Sequence, residues 1–487
     1  MSKLPTVLLT LLFLPGAALA QDVPPAPSVP FDIAAAIAEG RAMTADRAAE
    51  LAVAAAPELD QARALGRASE AAVSRTRAAM LPRLELTARY AHIDGFPDGE
   101  FGTGADPEAL AAARMLAMSV SDPAARQLWT GTIDQQASGS SISISIPRDQ
   151  ISFSARLTWP VSDLFFAMLP ALEAAESGTR AHELQVQAAE AGVRRAARET
   201  YYQLARARGA LAVATEARRQ AEAGRAQIEA AVRAGFLTDA DRLAADARVA
   251  GAEQAMAQGR AGVAIADAAL RALTAEEDGA PYGVAEELMS EPSSPGTVSE
   301  LSARAIEARA ELAALRESLR AQRAAGRASD ATGYPHLALY AGADIANPNR
   351  YMIPPQQEFQ PSWEMGALLT WSPNDALNAV HRGEELSAQS AATEAQLARL
   401  ERTVRLEVRQ AHATAVAARE SLAAARTAEA AALAAYESRA AQLRAGAATS
   451  ADLFAAEAQL NQARFAVLDA AVTGRVAEVR LAHATGD

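Results

Sequence analysis

The sequence predicts a mainly α-helical fold with a small β part, in which a helix–strand–strand–helix unit occurs twice. Three observations predict it. No proline occurs between residues 171 and 280 or after Pro373, and both stretches are rich in Ala, Glu, Gln, Arg and Leu, a composition that favours helices far longer than the globular average. Four short segments alternate apolar and polar residues with the period of two that marks a half-buried strand. The chain also repeats itself. "RAGFLTDADRLAADA" from Arg233 returns as "RAGAATSADLFAAEA" from Arg444, and "LTW" at Leu157 returns at Leu369.

The elements follow in order. Residues 1–20, "MSKLPTVLLTLLFLPGAALA", have a basic start, an apolar run and a closing Ala-Leu-Ala, and read as a secretory signal peptide cut after Ala20. The first repeat spans 21–280, with helices over 44–80, 173–232 and 239–275 and strands over 83–92 and 151–159. Residues 281–297, rich in Pro, Ser and Gly, read as the linker between repeats. The second repeat spans 298–487, with helices over 298–329, 377–443 and 450–484 and strands over 336–345 and 363–371. The helix over 173–232 would reach ~90 Å. Its many alanines let neighbouring helices approach closely but bury little area each, so such helices need lateral partners.

The repeats keep register except between their two strands. The strand starts Pro82 and Pro335 lie 253 residues apart, and the "LTW" segments lie 212 apart. The first repeat therefore carries a longer connection over about 93–139, with a short helix expected near 107–119. The segment "SISISI" (141–146) either extends the second strand or is a Ser-rich loop.

Composition excludes several classes. The chain has no cysteine, so disulfides and thiolate chemistry are absent. Its net charge of −13 disfavours a nucleic-acid partner. The six histidines, His92, His182, His336, His381, His412 and His483, show no metal-ligand spacing, and "AHELQ" at His182 lacks the second histidine of a zinc protease. There is no phosphate loop and no nucleophile elbow. The sequence predicts no enzyme, catalytic residue, metal or cofactor.

Each strand is long enough to cross a bilayer when tilted. Leu84, Leu86, Ala88 and Tyr90 oppose Arg83, Glu85, Thr87 and Arg89 on the first, and Ile151, Phe153, Ala155, Leu157 and Trp159 share a face of the second. Lipid on one side and water on the other produce this pattern, with Tyr90, Trp159 and Trp371 in interfacial girdles. A small soluble antiparallel sheet, in an exported coiled-coil scaffold or adaptor, produces it too. Four strands cannot close a barrel, and an open edge in lipid leaves backbone groups unpaired. The membrane reading therefore demands oligomerisation, with eight strands from two copies or twelve from three.

The duplicated element order, the Pro-x-Leu strand starts at Pro82 and Pro335, the strand–Trp exits and the paired "RAG…T..AD" turns together resemble the TolC-like outer-membrane efflux proteins. The resemblance covers nearly the whole chain beyond the signal peptide. It implies a homotrimer with a twelve-stranded β-barrel in the outer membrane of a Gram-negative bacterium and a long α-helical barrel in the periplasm. It implies an exit duct of an efflux pump or type I secretion system, partnered by a periplasmic adaptor and an inner-membrane transporter.

At the turns, Gly235 and Gly446 suit left-handed helix ends. Thr238 and Thr449 suit N-caps, with Asp241 and Asp452 completing capping boxes. The resemblance adds roles. Arg233, Gly235, Phe236, Leu237, Thr238, Arg444, Gly446 and Thr449 would meet the adaptor, and Asp241 and Asp452 would line the pore constriction. Asp241 is also placed to pair with Arg444. The family's tyrosine before the second turn is Leu443 here, its following arginine Ala448 and its second ring aspartate Ala455, which predicts a differently built gate.

Overall fold

The computed structural model describes residues 32–95, 99–102, 106–138, 141–144, 147–276, 279–352, 356–445 and 447–487. Residues 1–20, expected as a signal peptide, and Gly446 lie outside the described residues.

The first repeat contains α1 (Ala45–Ala55), α2 (Pro57–Ala79), β1 (Arg83–His92), β2 (Asp149–Pro160), α3 (Leu169–Arg233) and α4 (Asp239–Thr274). The second contains α5 (Val298–Ala308), α6 (Ala310–Asp330), β3 (His336–Asn347), β4 (Gln360–Thr370), α7 (Pro373–Arg444) and α8 (Ser450–Thr485). The proline-free stretches carry helices of 65 residues in α3 and 72 in α7, about 98 and 108 Å long at 1.5 Å per residue. Each packs along its shorter successor, α3 with α4 and α7 with α8, and α3 also packs along α2, α6 and α8.

Two helices expected as single are each divided. The stretch 44–80 breaks at Ala56, whose ψ of 113° is extended. Pro57 follows it, and a proline ring pushes the preceding residue out of the helical region. The stretch 298–329 breaks at Arg309, 253 residues later, the offset of the strand starts. No proline enforces that break. Arg309 is extended, with ψ 121°, and its buried guanidinium donates to Glu311 Oε1 at 3.0 Å and to Glu407.

The helical core gathers where α3, α4 and α8 cross a small parallel pair of strands, Arg41–Met43 beside Tyr282–Val284. The second of these strands lies within the stretch expected as linker. Tyr201 and Leu204 are fully buried there beside Leu468 and Val472. The Tyr201 hydroxyl donates to the Met43 carbonyl at 3.0 Å and the Tyr202 hydroxyl to Glu286 Oε2 at 3.0 Å. Burial pushes both phenols well above their ordinary pKa, so they remain neutral donors. Gly209 faces Leu468 so closely that a Cβ would collide with the leucine methyls. A side chain here would require Leu468 to shift.

The four main strands form one antiparallel meander, β1-β2-β3-β4, with β1 and β4 at its edges. The β1–β2 connection contains two helices, Pro107–Met118 and Pro123–Ala137. Ser141–Ile144 is a strand, but it pairs with Gly99–Gly102 in a separate antiparallel ribbon rather than extending β2.

Candidate channel wall and periplasmic tip

Register determines what the sheet shows on each side. Leu86 pairs with Ala155, Ala155 with Ala343 and Ala343 with Trp363. The next row down holds Leu84, Leu157, Ala341 and Met365. One face is therefore apolar across all four strands, and among the described residues no element covers it. Leu86 is 73% exposed and Trp363 78%. A continuous apolar surface of this kind on one chain needs lipid or another copy against it.

The opposite face is polar. Glu85, Arg89, Ser154, Arg156, Asp344 and Glu364 line a concavity of about 350 Å³. Arg156 donates to Glu364 across the sheet at 3.2 Å. Acidic and basic groups alternate here, so this wall carries no dominant charge.

The predicted aromatics lie at both ends of the apolar face. Trp159 lies near the end of β2, and Trp371 follows β4, where its indole N–H donates to the Gly333 carbonyl at 3.2 Å. Tyr90 lies at the other end and donates to Asp149 Oδ1 at 2.9 Å. Sequence reasoning missed Phe165, Phe166 and Tyr334. The two phenylalanines sit in a π-helical turn, Leu164–Met168, between β2 and α3 and are more than half exposed; Phe166 meets Tyr334 edge to face at 5.7 Å. The run "DLFFAMLP" just after Trp159 was the available signal.

At the far ends of the long helices both turns follow one plan. α3 ends with Gly235 at φ 80°, and Phe236 N–H donates to the Ala231 carbonyl at 2.9 Å. In the second turn Ala447 N–H donates to Gln442 at 2.8 Å, the same spacing. This is the six-to-one bond that closes a left-handed helix end. Thr238 caps α4 and Thr449 caps α8, each within a reciprocal capping box. Phe236 is 84% exposed and leads the first turn into solvent. Arg233, two residues before Gly235, is exposed, and Leu237 beside Phe236 is half-buried.

Asp241 and Asp452 are both engaged. Asp241 Oδ2 accepts from the Thr238 N–H at 3.0 Å and hydroxyl at 2.7 Å, while Oδ1 accepts from the Ser450 hydroxyl at 2.7 Å. The Ser450 bond first, then the Thr238 bonds, lower Asp241 to about 2. Asp452 Oδ2 accepts from Thr449 N–H at 3.0 Å and hydroxyl at 2.7 Å, which holds its carboxyl below the ordinary range. Both carboxylates stay charged near neutral pH. Asp241 thus joins the two turns through Ser450, a residue the sequence reading passed over; the Arg444 side chain lies outside the description.

Further along the same helices Arg248 of α4 donates to the buried Glu457 of α8 at 3.1 Å. The Arg248 guanidinium also lies 5.1 Å from the Phe454 ring centre. Burial raises Glu457 against the opposing pull of Arg248. Among the described residues no cluster of His, Asp or Glu can hold a metal ion, and no helix is long and apolar enough to cross a membrane.

No protein family and no curated protein matches the sequence. Solved structures do match over most of its length. CusC, from a study of its folding and transmembrane channel formation, is 15% identical with a TM-score of 0.71, covering 91% of this chain and 92% of its own. VceC, an outer-membrane protein of Vibrio cholerae, is 16% identical with a TM-score of 0.66 over 91% and 96%. The CmeC outer-membrane channel of Campylobacter jejuni is 14% identical with a TM-score of 0.67 over 91% and 85%. The chain therefore has the fold of outer-membrane channel proteins. That fold is the one expected from its resemblance to the TolC-like family.

Proposed function

We propose that this chain is one subunit of a ring-shaped outer-membrane duct that passively conducts a substrate out of the cell. The observation that carries the proposal is the four-stranded sheet: apolar on one face, polar on the other, and open at both edges. Backbone groups on β1 and β4 are satisfied in lipid only when β1 of one copy pairs with β4 of the next. Three copies make twelve strands around a polar lumen, and the long helices then form a hollow cylinder in the periplasm. The similar folds of CusC and CmeC, which are described as channels, support the same reading.

In this assembly Tyr90, Trp159 and Trp371 seat the barrel at the two lipid–water interfaces. The turns from Arg233 to Thr238 and from Arg444 through Gly446 to Thr449 form the tip that meets a periplasmic adaptor of an inner-membrane transporter. Asp452 and Asp241 set the constriction. The duct serves an efflux pump or a type I secretion system and performs no chemistry of its own.

Purification decides the central claim. The protein should require detergent, migrate as a trimer on unheated gels and as a monomer after boiling, and conduct ions in planar bilayers. A monomer that stays soluble without detergent refutes it. Asp452→Ala should lower cation selectivity; unchanged selectivity removes Asp452 from the constriction.

A further inference from the structure

A cavity of about 380 Å³ lies where α3 passes the break between α5 and α6 and the end of α8. That volume is in the range of small-molecule sites. Arg194, Arg195 and Arg198 of α3 lie on its wall, together with the buried Arg309 and His483. Positions three and four apart on a helix are neighbours, so Arg198 adjoins both of the other arginines of α3.

The carboxylates on the wall are already engaged. Glu190 accepts from Arg63 at 2.9 Å, Glu311 from Arg309 at 3.0 Å and Asp487 from Arg304 at 2.6 Å. Arg198 donates to Asp46 Oδ1 at 2.7 Å, and Arg309 donates to Glu407 as well. Arg194 and Arg195 are left over. Neither makes a hydrogen bond or an ion pair among the described residues. Both are solvent-exposed, so a dissolved anion reaches them.

His483 reports the field inside the cavity. Burial first, then Arg195 and Arg309, hold its imidazole below the ordinary value, and the opposing pull of Glu311 and Glu407 is smaller. The cavity is therefore positive despite its carboxylates, and His483 enters it as a neutral ring with one N–H to donate. The N-terminus of α6 opens on the same wall, where Arg309 at the N-cap supplies no side-chain cap. A helix start of this kind adds to the positive field. The last carbonyls of α8 oppose it less, since Ala482 and His483 accept from the N–H groups of Asp487 and Gly486 at 3.0 and 3.2 Å.

We infer that this cavity binds a small solute through an oxyanion group, a phosphate or a carboxylate, held by Arg194 and Arg195 with His483 as a further donor. A guanidinium presents a planar fork of N–H groups that fits the paired oxygens of either anion. The bound solute would join α3 to the start of α6 and the end of α8. The inference stands apart from the duct reading and needs no second copy of the chain.

Calorimetric titration of the full chain in detergent tests it, with sodium pyrophosphate and sodium citrate in separate runs and ionic strength matched by sodium chloride. At least one salt should bind saturably, at one site per chain. Pyrophosphate alone assigns the site to phosphates, citrate alone to carboxylates, and binding of both to the oxyanion itself. Replacing Arg194→Gln and Arg195→Gln together should weaken binding by about tenfold or more, the worth of one charged hydrogen bond. Arg402→Gln, which removes an exposed arginine of α7, should leave the affinity unchanged. No saturable binding of either salt overturns the inference. So does wild-type affinity in the double variant, or an equal loss in Arg402→Gln, which would assign the effect to overall charge. A monomer that binds the salt refutes only the duct, and a trimer that binds neither salt refutes only the site.

Discussion

The sheet and the helical bundle arrange their apolar residues in opposite ways. In the bundle, Tyr201, Leu204, Leu270 and Leu468 are fully buried, and alanine fills many of the contacts between helices. On the sheet, Leu84, Leu86, Trp363 and Met365 are exposed on one face, while Arg156 and Glu364 pair on the other. Each arrangement is stable only in its own solvent. The helices expel water from between them, whereas the strands leave apolar side chains exposed on one face and polar ones on the other. In the proposed duct the two regions meet different surroundings, and the π-helical turn that carries Phe165 and Phe166 lies between them.

A charge on the outer sheet face is the strongest way to break this comparison. Leu86→Arg places a guanidinium where the surroundings are proposed to be lipid. Such a substitution costs about 2–4 kcal/mol at the bilayer midplane, and a ring of three copies incurs it three times. The expected result is loss of the unheated trimer while helical circular dichroism survives. A trimer of wild-type stability shows that the face does not meet lipid. The matching change inside the bundle is smaller. Gly209→Ala drives a methyl group into Leu468, and overpacking of a core typically costs about 1–3 kcal/mol. Its thermal midpoint should fall with the trimer still formed. A midpoint equal to wild type shows that the α3–α8 crossing has slack.

These two regions were not equally legible in the sequence. The strand faces were legible because period two depends only on neighbouring residues, and pairing in register keeps like faces together. The break before Pro57 was readable in principle from the proline; the break at Arg309 was not, since buried contacts with Glu311 and Glu407 hold it. The second loop helix carries the same Asp-Pro signal at Asp122 as the first at Asp106, and only the first was recognised. At the tip, Thr238, Asp241, Thr449 and Asp452 were readable as local caps. The Ser450–Asp241 bond was not, because it depends on two turns 209 residues apart in sequence meeting in space. Which of these groups touch an adaptor or a pore is a property of an assembly and has no signature in one chain.

The tip sharpens the comparison, because there the caps add local polar bonds to a few buried side chains such as Ile228 and Leu453. Thr238→Ala and Thr449→Ala each remove a cap, at about 1 kcal/mol apiece. Each should raise amide hydrogen exchange in the first turn of its own helix, α4 or α8, and leave the sheet unchanged. Equal exchange in variant and wild type shows that the turns are held by something other than their caps.

Titration separates the two turns further. Asp241 has an extra donor in Ser450, and its carboxyl is lowered from 3.8 to about 2. A carboxylate whose pKa is depressed by folding contributes stability that is fully present above its unfolded value and is lost as pH falls through the folded one. The contribution of Asp241 should thus be constant above pH ~4 and fade toward pH ~2. Thermal midpoints of wild type and Asp241→Asn, measured across that range in detergent, should differ at pH 5 and converge at the acid end. Ser450→Ala should move the convergence to higher pH, since it removes the largest cause of the depression. Parallel curves for wild type and Asp241→Asn show that the carboxylate charge contributes nothing to the tip, and the link between the two turns would then be a neutral contact.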